Sequence, residues 1–224
     1  GVVLGGAIDE CKKLAEKLDA PVCNGYQHND SFPGSHPLAV GPLGYNGSKA
    51  AMELISKADV VLALGTRLNP FSTLPGYGID YWPKKATIIQ VDMNPDRIGL
   101  TKKVSVGICG DAKQVAQQIL DKLSSDAGNT GREERKNLIH KTKSAWLQTL
   151  SGLDHEEDDP GTVWNKEARE RDKDRMSPRQ AWRAIQDALP QDAIISSDIG
   201  NNCAIGNAYP CLLYTSPSPR DRSL

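Results

Sequence analysis

The 224-residue sequence predicts an α/β fold, a parallel sheet with flanking helices, followed by the first helix and strand of a second α/β domain. Three observations predict it. Helical periodicities alternate with short apolar runs from 7 to 125, the pattern of strands joined by crossover helices. The runs at 59–65 and 86–91 are continuously apolar rather than alternating, as in strands covered on both faces. A second helix-then-strand pattern begins at Ser177-Pro178, an N-cap followed by proline at the first helical position.

The elements follow in order. Gly1-Val-Val-Leu-Gly-Gly-Ala7 reads as the loop after a first strand that the sequence does not contain. Ala7 to Leu18 is an amphipathic helix with Ile8, Cys11, Leu14, Ala15 and Leu18 on one face. Pro21 to Asn24 is a short strand, and Gly25 to Gly47, polar and rich in glycine and proline, is a long loop. Loops of that length carry function or sit at an interface. Ser48 caps a helix running to Lys57, and 59–65 is a strand buried on both faces. Ala86 to Val91 is another strand, ending in Asp92-Met-Asn-Pro95, and Val104 to Cys109 is the next. Gly110-Asp111 leads into a helix from Ala112 to Leu123, which closes a domain at 1–125.

Residues 126–176 read as an interdomain connector. A small-residue linker over 124–131 precedes a helix from Arg132 to Leu150, and 154–175 is too charged to pack as core. Residues 177–210 begin the second domain. A helix over 179–189 puts Ala181, Trp182, Ile185 and Leu189 on one face, Pro190 stops it, 193–198 is a buried strand, and Ile199-Gly-Asn-Asn202 is the loop at that strand's carboxyl end. Cys211 to Asp221 looks like the conceptual translation of a sequencing adapter, so 211–224 is expected to be a read-through artefact and is excluded from fold reasoning; a natural proline-serine tail is the alternative.

Composition excludes several classes. Formal net charge is −1 with both signs mixed throughout, so no basic surface points to nucleic acid and no polybasic stretch to a membrane. No apolar run approaches the roughly 20 residues of a membrane span. Cys11, Cys23, Cys109, Cys203 and Cys211 are scattered without zinc or disulfide spacing, and are expected as core or near-core thiols of a cytoplasmic protein. Small molecules and other subunits are the expected partners.

Each candidate site has two readings. Asp92, just past a strand, stands where a dinucleotide fold places a carboxylate on ribose, but no phosphate fingerprint precedes it, and a loop-capping aspartate explains it as well. Gly65-Thr-Arg67 could present N–H groups and a guanidinium to phosphate; Arg67 could equally close an interdomain ion pair. His28, His36 and Asp30 share the long loop without a third metal ligand at a persuasive spacing. His140 and His155 read as solvated. In Asp198-Ile-Gly-Asn-Asn202 a glycine permits close approach of an anion, and two carboxamides supply donors; a glycine turn with asparagines in left-handed conformations accounts for the same residues.

Gly41-Pro-Leu-Gly-Tyr-Asn-Gly-Ser-Lys-Ala-Ala51, Ala58-Asp-Val-Val-Leu-Ala-Leu-Gly-Thr-Arg67, Ile89-Gln-Val-Asp-Met-Asn-Pro95 and the stretch from Ser177-Pro-Arg179 to Asp198-Ile-Gly200 together resemble the thiamine-diphosphate enzymes of the acetolactate synthase type. The resemblance runs through 1–210 and implies a Rossmann-like central domain, its connector and the start of the diphosphate-binding domain. Tyr26-Gln-His-Asn-Asp-Ser-Phe-Pro-Gly-Ser-His36 and Asp198-Ile-Gly-Asn-Asn-Cys203 are similar to the branch acting on sulfoacetaldehyde; synthases tend to carry Gln-His after that glycine. What the branch implies is acetyl transfer: the cofactor's activated carbon adds to the aldehyde, sulfite leaves, and phosphate takes the acetyl group. It also implies thiamine diphosphate and Mg2+ as cofactors, a homodimer or homotetramer, and Gly200, Asn201 and Asn202 against the diphosphate. The activating glutamate and the magnesium motif would lie outside this sequence, so the segment alone is expected to be inactive. Another enzyme of the same type, or a nucleotide-binding module holding FAD or ADP as some relatives' central domains do, are the alternatives.

Overall fold

The computed structural model describes residues 1–26, 28–44, 47–154, 175–176, 178–190 and 205–206. Among the described residues five strands and five longer helices follow one another as α1 (Ile8–Leu18), β1 (Val22–Asn24), β2 (Ala39–Pro42), α2 (Lys49–Ile55), β3 (Val60–Leu64), β4 (Thr87–Asp92), β5 (Val106–Cys109), α3 (Ala112–Lys122), α4 (Arg132–Asp154) and α5 (Pro178–Ala188). Among the described residues these strands all pair in parallel. The strands form a two-stranded sheet, β1-β2, and a three-stranded sheet, β3-β4-β5, in register Val61 to Ile88 and Ile89 to Val106.

Residue chemistry sets the element ends. Ser48 Oγ accepts from the Ala51 N–H at the start of α2, and Asp111 Oδ1 accepts from the Lys113 and Gln114 N–H groups, each at 3.0 Å, at the start of α3. These bonds satisfy donors that a helix leaves orphaned in its first turn. α1 ends on Asp19 in a left-handed conformation, φ 47°.

One core joins α1, β2, α2 and α4 through Ala15, Val40, Met52, Leu54 and Ile139, with Phe32 and Tyr81 fully enclosed, and Val61 of β3 packs against its edge. A smaller cluster joins Val2, Ala7 and Ala112 near Ile8, Cys11 and Leu64. The helix α4 is thus packed on the preceding elements. Arg135 donates to the Asp19, Thr130 and Gly128 carbonyls, and Arg132 Nε lies 2.6 Å from Asp19 Oδ2. The far end of α4 meets α5, where Trp146 and Leu150 gather Trp182 and Ile205.

The structure corrects several expectations. The long loop over 25–47 holds β2, paired with β1 from Val22–Ala39 to Asn24–Pro42; four residues bounded by glycine and proline are too short for a strand pattern to show. β3 is not covered on both faces along its length: Val60, its first residue, is 53% exposed, and an apolar run does not show where the cover over a strand's faces stops. The parallel strands with flanking helices are as expected, and among the described residues they fall into two sheets. The helix expected over 132–150 runs on to Asp154. On α5, Ile185 is exposed while Trp182 packs inward, so among the described residues only part of the apolar stripe has a cover. Cys109 is exposed rather than near-core, in line with a strand β5 that is largely uncovered among the described residues. Glu10, on no apolar face, is buried in α1. The strand expected at 193–198 and the stretch 211–224 lie outside the described residues.

Candidate functional site at the carboxyl end of the sheet

β3, β4 and β5 run parallel, so their exits share one end. Gly65, Thr66, Arg67 and Asp92 meet there: the Gly65 N–H donates to the Val91 carbonyl at 2.8 Å, one residue beyond the Leu64–Val91 pair. Gly65 has φ +58°, and a Cβ on it would lie 2.8 Å from Gly1 Cα. Glycine is therefore required on two grounds, conformation and close approach. The opening Gly1–Gly6 loop thus closes over the exit of β3.

After Gly65 the chain makes a tight turn. Thr66 Oγ1 accepts from the Leu68 N–H at 3.2 Å, and Leu68 is buried with φ +52°. Thr101 Oγ1 donates to the Arg67 and Leu68 carbonyls at 3.0 and 2.7 Å. The Arg67 side chain is exposed and makes no ion pair among the described residues.

Asp92 is the last residue of β4 rather than the first past it. Its Oδ1 accepts from the Asn94 N–H at 2.9 Å, and Asn94 Oδ1 accepts in turn from the Asp96 N–H at 2.9 Å. One carboxylate oxygen therefore caps its own loop. Beside it, Asp111 Oδ2 faces Gly5, where a Cβ would come within 3.0 Å of it.

Sequence reasoning missed Gln90. This side chain is 1% exposed; its Nε2 donates to the Thr66 and Arg97 carbonyls, and its Oε1 accepts from the Gly99 N–H. An amide inside the apolar run Thr87-Ile-Ile-Gln-Val91 was the available signal. Gly200, Asn201 and Asn202 lie outside the described residues, as do Asp198 and His155; what the structure does give is α5, the helix that leads toward them.

Among the described residues no group of three or more His, Cys, Asp or Glu could hold a metal ion. His36 instead has Nε2 at 3.1 Å from Glu16 Oε1, while its Nδ1 accepts from the Leu38 N–H. His140 is exposed. Burial pushes the thiols of Cys11 and Cys23 up to about 11, helped at Cys11 by the charge of Glu10. Among the described residues no helix is long and apolar enough to cross a membrane.

Parallel strands flanked by helices, with exit turns gathered at one end, define an α/β domain of Rossmann-like type. The sequence model of the thiamine pyrophosphate enzyme central domain matches residues 1–119, and the chain belongs to that family. It is similar to a probable sulfoacetaldehyde acetyltransferase of Rhizobium meliloti, 80% identical over 210 residues, which covers 94% of this chain and 36% of the relative. A sulfoacetaldehyde acetyltransferase of Roseovarius nubinhibens is 76% identical over the same share of this chain and 35% of its own. A probable acetolactate synthase large subunit of Methanocaldococcus jannaschii is 35% identical over 153 residues, 68% of this chain and 23% of the relative. The chain thus spans little more than a third of the length of the acetyltransferases it matches.

Proposed function

We propose that the chain is part of a thiamine-diphosphate-dependent enzyme that converts sulfoacetaldehyde and phosphate to acetyl phosphate and sulfite. The observation that carries this reading is the gap in identity: 80% to a protein named for that activity against 35% to one named for acetolactate synthesis. When bound, thiamine diphosphate supplies the electron sink for carbon–carbon chemistry, while protein groups bind and orient. In this reading Gly200 allows the diphosphate to approach the backbone, and Asn201 and Asn202 donate amide hydrogen bonds to it. Mg2+ would be held by residues outside this sequence. Arg67, exposed and without an ion pair among the described residues, supports a second role. Its guanidinium suits a tetrahedral oxyanion, phosphate or sulfonate, bound through two parallel N–H···O bonds. Asp92 is itself anionic and caps its own loop, and the Gly65 N–H is taken by the Val91 carbonyl, which leaves that task to the Arg67 guanidinium. The whole enzyme is a cytoplasmic homodimer or homotetramer in this reading.

The test is product analysis on the full-length enzyme. Sulfite and acetyl phosphate should form from sulfoacetaldehyde and phosphate; acetolactate from pyruvate instead would overturn the reading. In that enzyme Asn201→Ala or Asn202→Ala should each remove one hydrogen bond to a charged group, worth about 1.5–3 kcal/mol. The cofactor concentration for half activity should then rise roughly tenfold to hundredfold, with a much smaller change in turnover at saturation. Gly200→Val should weaken the cofactor further. Wild-type cofactor dependence in all three would reduce the loop to a glycine turn.

A further inference from the structure

A carboxamide inside an apolar strand is unfavourable unless every polar atom finds a partner. Gln90 meets that condition in an unusual way, because its partners belong to two different turns. Nε2 donates at 3.0 Å to the Thr66 carbonyl in the turn after β3 and at 3.1 Å to the Arg97 carbonyl after β4, while Oε1 accepts at 2.8 Å from the Gly99 N–H. Thr101 adds a second tie from the same side, through the Arg67 and Leu68 carbonyls. Leu68 stays left-handed although buried, and such a conformation persists only where its surroundings over-determine it. An apolar residue at 90 would serve the core without any of this. What the bonds have in common is the backbone of residues 66–68, from the middle of which the Arg67 side chain leaves for solvent.

We propose that Gln90 is the positioning residue of an oxyanion site at Arg67: it holds the Thr66–Leu68 turn so that the guanidinium is presented, already oriented, to a phosphate or sulfonate group. The inference rests on the reading of Arg67 given above. Phosphate and sulfonate share the chemistry that Arg67 recognises, three oxygens on a tetrahedral centre, and the two sources are separated by probe.

The experiment uses the 224-residue chain, titrated with inorganic phosphate and separately with methanesulfonate while the Thr66, Arg67 and Leu68 amide resonances are followed. Both probes should shift Thr66 and Arg67, and the tighter one identifies the natural group. Arg67→Ala should abolish the response. Gln90→Met, similar in length but without donors, should weaken binding about tenfold, the low end of what loss of a ligand's supporting partner does in metal sites, and should speed hydrogen exchange at Leu68. Ala116→Gly, in α3 and remote from the turn, should lower stability and leave affinity unchanged, which separates positioning from general loosening. If Gln90→Met does not fold, Gln90→Leu, smaller and likewise without donors, takes its place, and the same outcomes apply. No response in the wild type, or an intact response in Arg67→Ala, overturns the Arg67 reading and this inference with it. Loss of response in Arg67→Ala with wild-type affinity in the Gln90 variants overturns the role of Gln90 alone.

Discussion

At Gly41, inside β2, φ is +90°, and a Cβ would lie 2.7 Å from Ser48 Cβ. Gly41→Ala combines left-handed strain with a collision at a buried helix cap, and should cost at least about 2 kcal/mol in urea unfolding. The cysteines divide just as sharply. Cys109 is exposed, whereas burial keeps Cys11 and Cys23 protonated up to about pH 11. Of these three, Cys109 should be the one modified rapidly by a thiol reagent at pH 8 in the native chain. Because the folded state raises both thiols above their unfolded values, their contribution to stability is complete below about pH 8.5. It is lost as the pH climbs toward 11. Thermal melts at pH 8 and 10 should show a smaller drop in Cys11→Ala/Cys23→Ala than in the wild type. Gly65, Thr66, Arg67 and Asp92 were legible as candidates because strand ends announce themselves by where an apolar run stops. Gln90 was hidden by the same logic: periodicity weighs apolar positions and is silent about a polar one whose partners are seven and 24 residues away.

Caps and crossovers were the readable part at the level of elements. Ser48 and Asp111 occupy the positions that their chemistry implies, and the latter accepts two N–H bonds at 3.0 Å. Asp111→Ala should therefore destabilise α3 by about 1 kcal/mol, measurable as faster amide exchange in its first turn. β2 was unreadable, since Ala39-Val-Gly-Pro42 carries neither the length nor the alternation of a strand. Its identity comes from pairing with β1, a non-local fact. The exposed Val60 was unreadable for a similar reason, since an apolar run does not show where the cover over a strand's faces stops.

For the molecule as a whole, α4 acts as a strut. One end is pinned to α1 by Arg132 and Arg135, and the other receives α5 through Trp146, Leu150 and Trp182. Trp182→Ala should loosen α5, seen as faster hydrogen exchange over 178–188, while the exchange of β4 stays unchanged. Exchange that rose equally in both would mean that α5 and the sheet open as one unit. The clamp on α1 also bears on the order in which the chain acquires structure. Lys17 Nζ donates to the Ser125 carbonyl, and Arg132 and Arg135 hold Asp19, contacts that span 108 and 116 positions for the first and last of these hydrogen bonds. During synthesis α1 thus lacks its closing partners until more than a hundred further residues have been made. At a synthesis rate of about 5–20 residues per second, that leaves α1 with an open carboxyl end for roughly five to 25 seconds, the interval in which a nascent chain of this protein would most need a chaperone's cover.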